Sequence, residues 1–210
     1  MPRVFWQNPK SISHLILWSN LMKLRNNSIL TDHLHKFIHT YDDALEPGIC
    51  EQLITLFEQQ EPEMVDNQGR PQFQQWNFTE NRQLDEGLHQ HLVKTAMKYR
   101  DKYYQSMCEE VFPEQHQWEQ FRIKKYRKGS TDQFKTHVDV GDHASARRYL
   151  AMFWYLNNVT EGGETEFLHK KIEPEKGKLV VFPPFWCFPH KAMPVASSDK
   201  YILTTYLHYK

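Results

Sequence analysis

The sequence predicts a mainly β protein of α+β organisation, in which helices from the first half of the chain pack against one side of a double-sheet β core. Two stretches of the first half, 49–57 and 84–103, place apolar residues on one helical face. From about Phe121 onwards, short apolar runs alternate with glycine and proline turns, a pattern typical of strands. Helices followed by many short strands favour this layered arrangement.

The helical segments carry further signals. Pro47 can begin the first helix, because a proline in the first turn loses no helical hydrogen bond. The second helix is predicted from six apolar or aromatic residues on one face, and the region ends at Pro113. These six residues are Leu84, Leu88, Leu92, Ala96, Tyr99 and Tyr103. A short apolar-polar alternation over 37–41 predicts a strand ahead of both helices.

Six strands are predicted in the second half, over 121–126, 134–140, 148–157, 165–168, 178–182 and 201–208. The length of 210 residues suits one domain with additions. We expect an N-terminal extension over 1–33, whose structure the sequence does not define, and a single domain over 34–210. Within that domain, helical support is expected over about 42–112 and the β core over about 119–210.

Composition excludes several classes of protein. Hydrophobic residues make up 40% of the chain, so a packed core is expected. The 26 basic and 26 acidic residues cancel, which argues against a nucleic-acid or anionic-membrane partner. Three cysteines do not indicate a disulfide framework, and no apolar run reaches the roughly 18 residues of a membrane span. These features favour a cytoplasmic protein.

A metal site is suggested by His137 and Asp139, which lie two residues apart in a predicted strand and so project from one face. A second imidazole, from His190, would complete two histidines and one carboxylate, the ligand set of non-haem iron(II) oxygenases. In a chain with 12 histidines the pair alone is a weak signal, and an ordinary structural pair is the simpler alternative. Lys200 strengthens the case, because it opens an otherwise apolar strand ten residues after His190. It is either a strand-edge lysine reaching solvent or a cation that binds a carboxylate inside a cavity.

Together with neighbouring motifs, these residues resemble the iron(II)/2-oxoglutarate-dependent dioxygenases, in their prolyl 4-hydroxylase-like branch. The resemblance covers 121–206 well, the segment 41–57 loosely and 1–33 not at all. It implies a double-stranded β-helix (jelly roll) core flanked by N-terminal helices. The matching features are His137-x-Asp139, His190, Lys200, Tyr126-x-x-Gly129, Tyr155-Leu156-Asn157 and Gly162-Gly163-Glu164-Thr165.

The resemblance also implies an enzyme that hydroxylates an unactivated C–H bond, with Fe(II), with 2-oxoglutarate and O₂ as co-substrates, and with ascorbate in support. It assigns His137, Asp139 and His190 to the metal. Lys200, Tyr126, Thr165 and Tyr155 are assigned to 2-oxoglutarate. Arg148 and Tyr206 are assigned to the catalytic side of the pocket, near the substrate.

The substrate is left open by the sequence. A peptidyl residue such as proline is expected from the branch, but Phe134 stands where the branch often has a tyrosine that helps hold prolyl substrates. A free amino acid, a small metabolite or a nucleobase is the alternative. Arg122 and Lys124 share strand parity with Tyr126 and would favour an acidic substrate. The segments 141–147 and 66–77 are expected to form lids over the substrate.

Two other classes of protein compete with this interpretation. One is a metal-binding β-barrel module without turnover, and the other is a zinc hydrolase. Lys200 and Tyr126 argue against the module, because a metal alone requires neither residue. A zinc hydrolase leaves Lys200 unexplained.

Overall fold

A curled antiparallel sheet organises the part of the chain that the computed structural model describes, namely residues 33–68, 71–168 and 170–210. Twelve strands occur in these residues, and every pairing between them is antiparallel. The expected extension over 1–33 lies outside the described residues, apart from its last position. The sheet is the double-stranded β-helix core that the resemblance implied.

The strands are numbered in chain order, and their order across the sheet is β1-β10-β7-β12-β5-β3-β6-β11-β8-β9, with β2 beside β3 and β4 beside β12. They are β1 His39–Tyr41, β2 Glu63–Asp66, β3 Pro71–Asn77, β4 His116–Trp118, β5 Arg122–Tyr126, β6 Gln133–His137, β7 Arg148–Tyr155, β8 Thr165–Phe167, β9 Lys170–Ile172, β10 Leu179–Phe182, β11 His190–Ala192 and β12 Lys200–Tyr209.

Within the described residues, the sheet is supported by helix α1 at Pro47–Glu58 and helix α2 at Glu86–Gln105. Pro47 begins α1, as predicted. Asp85 caps α2, because its carboxylate accepts a 2.8 Å hydrogen bond from the Leu88 amide, a contact that stabilises a helix by about 1 kcal/mol. Both helices bury one face: Cys50, Leu53 and Phe57 in α1, and Leu88, Leu92, Ala96, Tyr99, Tyr103 and Tyr104 in α2.

Strand β7 separates two apolar cores and explains why its sequence is almost continuously hydrophobic. Met152 and Trp154 face the helices and join the larger core. Ala151, Phe153 and Tyr155 point into the curled sheet and line a second core. Because successive strand side chains alternate between faces, a strand that is buried on both sides loses the apolar-polar alternation of an exposed one.

Part of the expected lid over 66–77 is wrong, because 71–77 form strand β3. Phe73 and Trp76 are buried there, and β3 pairs with β2, β5 and β6. The predicted strands of the second half are present with shifted ends, whereas the short strands β4, β9 and β11 were not predicted. No helix in the described residues is long and apolar enough to cross a membrane.

Candidate active site

The three expected metal ligands lie together where strands β6 and β11 meet. His137 is the last residue of β6, and His190, the first residue of β11, is its direct partner across the ladder. Asp139 follows β6, and its carboxylate lies between the two histidine rings. One Oδ atom lies 3.6 Å from Nε2 of His137, and the other lies 3.6 Å from Nε2 of His190. All three donor atoms lie within 4.8 Å of one another.

The histidine rings are oriented for metal binding by their own backbone neighbours. Nδ1 of His137 lies 2.8 Å from the carbonyl oxygen of Lys135, and Nδ1 of His190 lies 3.1 Å from that of Phe188. Because a carbonyl only accepts hydrogen bonds, each Nδ1 carries the hydrogen and each Nε2 presents a lone pair. Two imidazole nitrogens and one carboxylate therefore converge, which fits a divalent first-row cation such as Fe(II).

His190 and Asp139 have the protonation states that metal binding requires. The pKa of His190 is lowered to about 4, chiefly by burial, so its imidazole is neutral at neutral pH. Burial alone would raise the pKa of Asp139, but His190, His137 and Lys124 together hold that pKa below its usual range. Asp139 is therefore ionised, and the charge of Lys124 is close enough to lower the pKa of Asp139.

A polar network behind the metal ligands fixes Asp139 from two directions. The Tyr206 hydroxyl donates a 2.9 Å hydrogen bond to Oδ1 of Asp139, and the Arg148 guanidinium donates one of 2.9 Å to its backbone oxygen. Glu119 accepts two hydrogen bonds from Arg148, at 2.6 and 3.0 Å, and also contacts His208. The guanidinium stacks 4.1 Å from the centre of the Tyr206 ring.

Glu119 belongs to this network although the sequence did not predict it as a site residue. It lies between two strands and has no motif around it, so only the fold brings it to Arg148. Arg148 was expected near the substrate, and in the structure its guanidinium is held by Glu119, Asp139 and the Tyr206 ring. Its approach to a substrate stays a prediction.

A pocket opens in front of the metal ligands, and Lys200 lies at its buried side. Only 1% of Lys200 is exposed, and its Nζ donates a 2.7 Å hydrogen bond to the carbonyl oxygen of Gly163. The ammonium also lies 4.3 Å from the centre of the Tyr126 ring, the residue opposite it on β5. Burial lowers the pKa of Lys200 to about 7. The solvent-reaching alternative for this lysine is therefore wrong.

Thr165 and Tyr126 line the same pocket as Lys200, whereas Tyr155 lies behind Thr165. The Tyr155 hydroxyl oxygen lies 2.7 Å from Oγ1 of Thr165 and 3.2 Å from the carbonyl oxygen of Ile172. A Thr165 oxygen that accepts this bond keeps its own hydrogen free for a ligand in the pocket.

The substrate side of the pocket contains Phe134, whose ring stacks face to face on His137. Lys124 also lines the pocket, and its Nζ lies 4.9 Å from the centre of the Phe73 ring. Arg122, which shares its strand parity, donates instead to the Gln120 side chain at 3.1 Å. Of the two cations that the sequence placed on this face, Lys124 is the one that lines the pocket.

The second expected lid, 141–147, is a surface turn directly after the metal ligands. Asp142 organises it, because its carboxylate accepts hydrogen bonds from the backbone and hydroxyl groups of Ser145 at 2.8 and 2.7 Å. Gly141, Asp142 and Ser145 belong to this turn, most of which is exposed. Whether it closes over a substrate stays a prediction.

Comparison with known proteins agrees with this geometry. Residues 121–208 match the model of the 2OG-Fe(II) oxygenase superfamily. This segment contains all three converging ligands, together with Tyr126, Thr165 and Lys200. Comparison with curated proteins gives no match.

Solved structures of prolyl hydroxylases share the fold. A viral collagen prolyl hydroxylase from Paramecium bursaria Chlorella virus-1, solved with 2OG, is 21% identical, with a TM-score of 0.62 over 83% of this chain and 97% of that one. A prolyl-4-hydroxylase from Pseudomonas putida is 17% identical, with a TM-score of 0.64 over 83% and 93% of the two chains. A prolyl hydroxylase from Trichoplax adhaerens, in complex with a hypoxia inducible factor peptide fragment, is 14% identical, with a TM-score of 0.64 over 95% and 94%.

The superfamily works with Fe(II), 2-oxoglutarate and O₂, and the donor set at the end of β6 and the start of β11 suits that metal. The sequence match, the shared fold and the ligand geometry agree with one another. The match over residues 121–208, the shared prolyl 4-hydroxylase-like fold and the ligand set together support a 2-oxoglutarate-dependent non-haem iron dioxygenase.

Proposed function

We propose that this dioxygenase hydroxylates an unactivated C–H bond of a peptidyl residue, with proline as the first candidate, at a metal held by His137, Asp139 and His190. The observation that carries the proposal is the presence of that ligand set and of the buried Lys200 ammonium in one pocket. Bound Fe(II), with 2-oxoglutarate and O₂, supplies the oxidative decarboxylation to succinate and CO₂ that drives C–H hydroxylation.

The chain's own residues bind and orient the co-substrate. Lys200 pairs with the distal carboxylate of 2-oxoglutarate, because a buried ammonium with one carbonyl partner can donate further hydrogen bonds. The hydroxyls of Tyr126 and Thr165 donate to the same molecule. Tyr155 acts through Thr165, whose hydroxyl hydrogen it leaves available to the pocket.

The remaining polar residues hold the carboxylate ligand in place. Tyr206 fixes one oxygen of Asp139, and Arg148 fixes its backbone. Neighbours of this kind orient metal ligands and adjust metal affinity. The apolar walls of the pocket, among them Phe134 and Phe182, exclude water from the reaction.

A peptide substrate is supported by the fold relatives and by the form of the site. The Trichoplax adhaerens relative was solved with a peptide fragment. In this chain, the turn over 141–147 follows Asp139 and is mostly exposed, as a segment that covers a bound peptide would be. The counter-argument is Phe134, which stands in place of a tyrosine. A free amino acid, a small metabolite or a nucleobase is thus the alternative substrate class.

The test measures both halves of the reaction. The protein is incubated in air with Fe(II), ascorbate, 2-oxoglutarate and panels of proline-rich, acidic and neutral peptides, free amino acids and nucleobases. We expect succinate release coupled to a mass gain of about 16 Da on one peptide class. The Asp139→Ala variant should release none.

The outcomes separate the candidate functions. Hydroxylation of a free amino acid or nucleobase, with none on any peptide, would refute the peptide substrate and retain the oxygenase. Metal binding without succinate release under any condition would favour a binding module over an enzyme.

A further inference from the structure

Lys124 is a second cation in the pocket that the proposed reaction does not use. It extends from β5, two residues before Tyr126 and opposite Ile202 of β12. Its side chain lines the pocket and rests against the Phe73 ring. Among the described residues it has neither a hydrogen bond nor an ion pair, whereas the neighbouring Lys125 pairs with Glu58 at 2.8 Å on the outer side of the strand.

The position of Lys124 differs from that of Lys200. The Lys124 charge contributes to the pKa values of both Asp139 and His190, whereas Lys200 is influenced mainly by burial and Glu164. Lys124 therefore lies toward the metal ligands, while Lys200 lies toward the Gly163 turn. Burial lowers the pKa of Lys124 to about 8, so the side chain is still largely an ammonium at neutral pH.

The charges of the filled pocket do not balance without another anion. A divalent metal and the two carboxylates of 2-oxoglutarate cancel, which leaves the charges of the residues that line the pocket. Among the described residues that line the pocket, Lys124 and Lys200 carry two positive charges and Asp139 carries the single negative charge, so one positive charge is in excess. An unpaired charge on a half-buried side chain is unfavourable, and a pocket that retains one is prepared for a ligand of opposite sign.

The rest of the wall decides what kind of anion fits. Next to Lys124 lie the Phe73 ring and, across the ladder, Ile202. Lys200, the other lysine that lines the pocket in the described residues, donates its hydrogen bond to Gly163. A single ammonium on an apolar wall can satisfy one carboxylate, whereas a phosphate dianion normally needs several donors. We propose that Lys124 binds a carboxylate of the substrate and selects substrates that carry an acidic group beside the oxidised C–H bond. This inference rests on the proposed hydroxylase function.

Two sources could supply the carboxylate, and matched probes distinguish them. A peptide could supply a glutamate side chain next to the target proline, and a free amino acid could supply its α-carboxylate. The probes are capped proline peptides with glutamate or glutamine beside the proline, and free proline against prolinamide. Their dissociation constants are measured by calorimetry under anaerobic conditions with Fe(II) and 2-oxoglutarate bound, so that binding is read without turnover.

We expect the carboxylate member of one pair to bind about 30-fold more tightly than its amide, as for a buried charge pair. Lys124→Met should bring the two members to within about threefold of each other, mainly by weakening the carboxylate member. Lys124→Arg should retain part of the preference. Lys128→Met is the control, because it removes the same charge from an exposed position.

Three results would overturn the inference. One is equal affinity of the wild-type protein for both members of every pair. Another is an equal loss for the two members in Lys124→Met. The third is a loss of 2-oxoglutarate affinity in Lys124→Met as large as in Lys200→Met, which would assign Lys124 to the co-substrate. Failure of the proposed hydroxylase itself would look different, because no probe would then stimulate succinate release in air.

Discussion

The Tyr206 hydroxyl donates a 2.9 Å hydrogen bond to Oδ1 of Asp139, the carboxylate that lies between the two histidine rings. Tyr206 is itself fixed, because the Arg148 guanidinium lies over its ring. The orientation of one proposed metal ligand is therefore set from β12, at the opposite side of the pocket from the strands that carry the histidines.

Replacing Tyr206 by phenylalanine should weaken metal binding about 10- to 100-fold, the usual effect of removing a partner of a ligating carboxylate. The affinity for Fe(II) or Co(II) can be measured by anaerobic titration. Tyr201→Phe is the matched control, because its hydroxyl donates to Glu58 on the outer face of the same strand. An unchanged metal affinity in Tyr206→Phe would show that Asp139 is held without this bond.

Replacing Lys200 by alanine should weaken 2-oxoglutarate binding by about 2–5 kcal/mol and leave metal binding nearly unchanged, because only the co-substrate loses a charged partner. Lys200→Arg should restore part of the affinity, since arginine also pairs with carboxylates but has a different reach. The two affinities are measured separately by calorimetry. An equal loss of metal and co-substrate binding would indicate a folding defect instead.

Binding of 2-oxoglutarate should weaken as the pH rises from 7 to 9. Burial lowers the pKa of Lys200 to about 7 in the free protein, so above that pH the ammonium loses the proton that a carboxylate ligand requires. The lowered pKa also means that the unfolded chain binds more protons than the folded one, so this residue makes unfolding harder as the pH rises from 7 towards 10.5.

The control for this pH dependence is Lys200→Arg, whose guanidinium stays charged throughout the range. Its 2-oxoglutarate affinity should vary less between pH 7 and 9 than that of the wild type. A steeper fall in the arginine variant would assign the titration to another group.

Replacing Glu119 by alanine should destabilise the fold by about 3 kcal/mol, because it leaves the partly buried Arg148 guanidinium without its bidentate partner. Urea denaturation measures the change. Glu80→Gln, at an exposed position, should change stability by less than about 0.5 kcal/mol. If Glu119→Ala weakened metal binding without loss of stability, the network would orient Asp139 without supporting the sheet.

Motif spacing predicted the residues that touch the metal and the co-substrate pocket, because a strand places residues two apart on one face. His137 and Asp139 follow this rule even though β6 ends at His137. The role of Lys200 could also be predicted from its position. A lysine at the start of an otherwise apolar strand needs an interaction partner for its charge. The location of α1 and α2 also followed from the sequence, because helical amphipathicity repeats over many residues.

The sequence was less informative where a partner strand determines the structure. Strand β3 was interpreted as part of a lid because its glutamines and Pro71 look polar and irregular, yet Phe73 and Trp76 fill two different cores. Strand β11 is only three residues long and owes its form to β6 and β8 on either side. Glu119 was missed for the same reason, since its contacts with Arg148 and His208 join residues 29 and 89 positions away.

The pairing of His137 with His190 has a consequence for the motions of the sheet. A cation held by both rings would act as a cross-link between β6 and β11 at one rung of the ladder, next to an irregularity in their register. The backbone amides of β11 should then exchange with solvent much more slowly in the metal-loaded protein than after chelation. Metal occupancy would in this way control how often the β6–β11 pair opens, as well as the chemistry of the site.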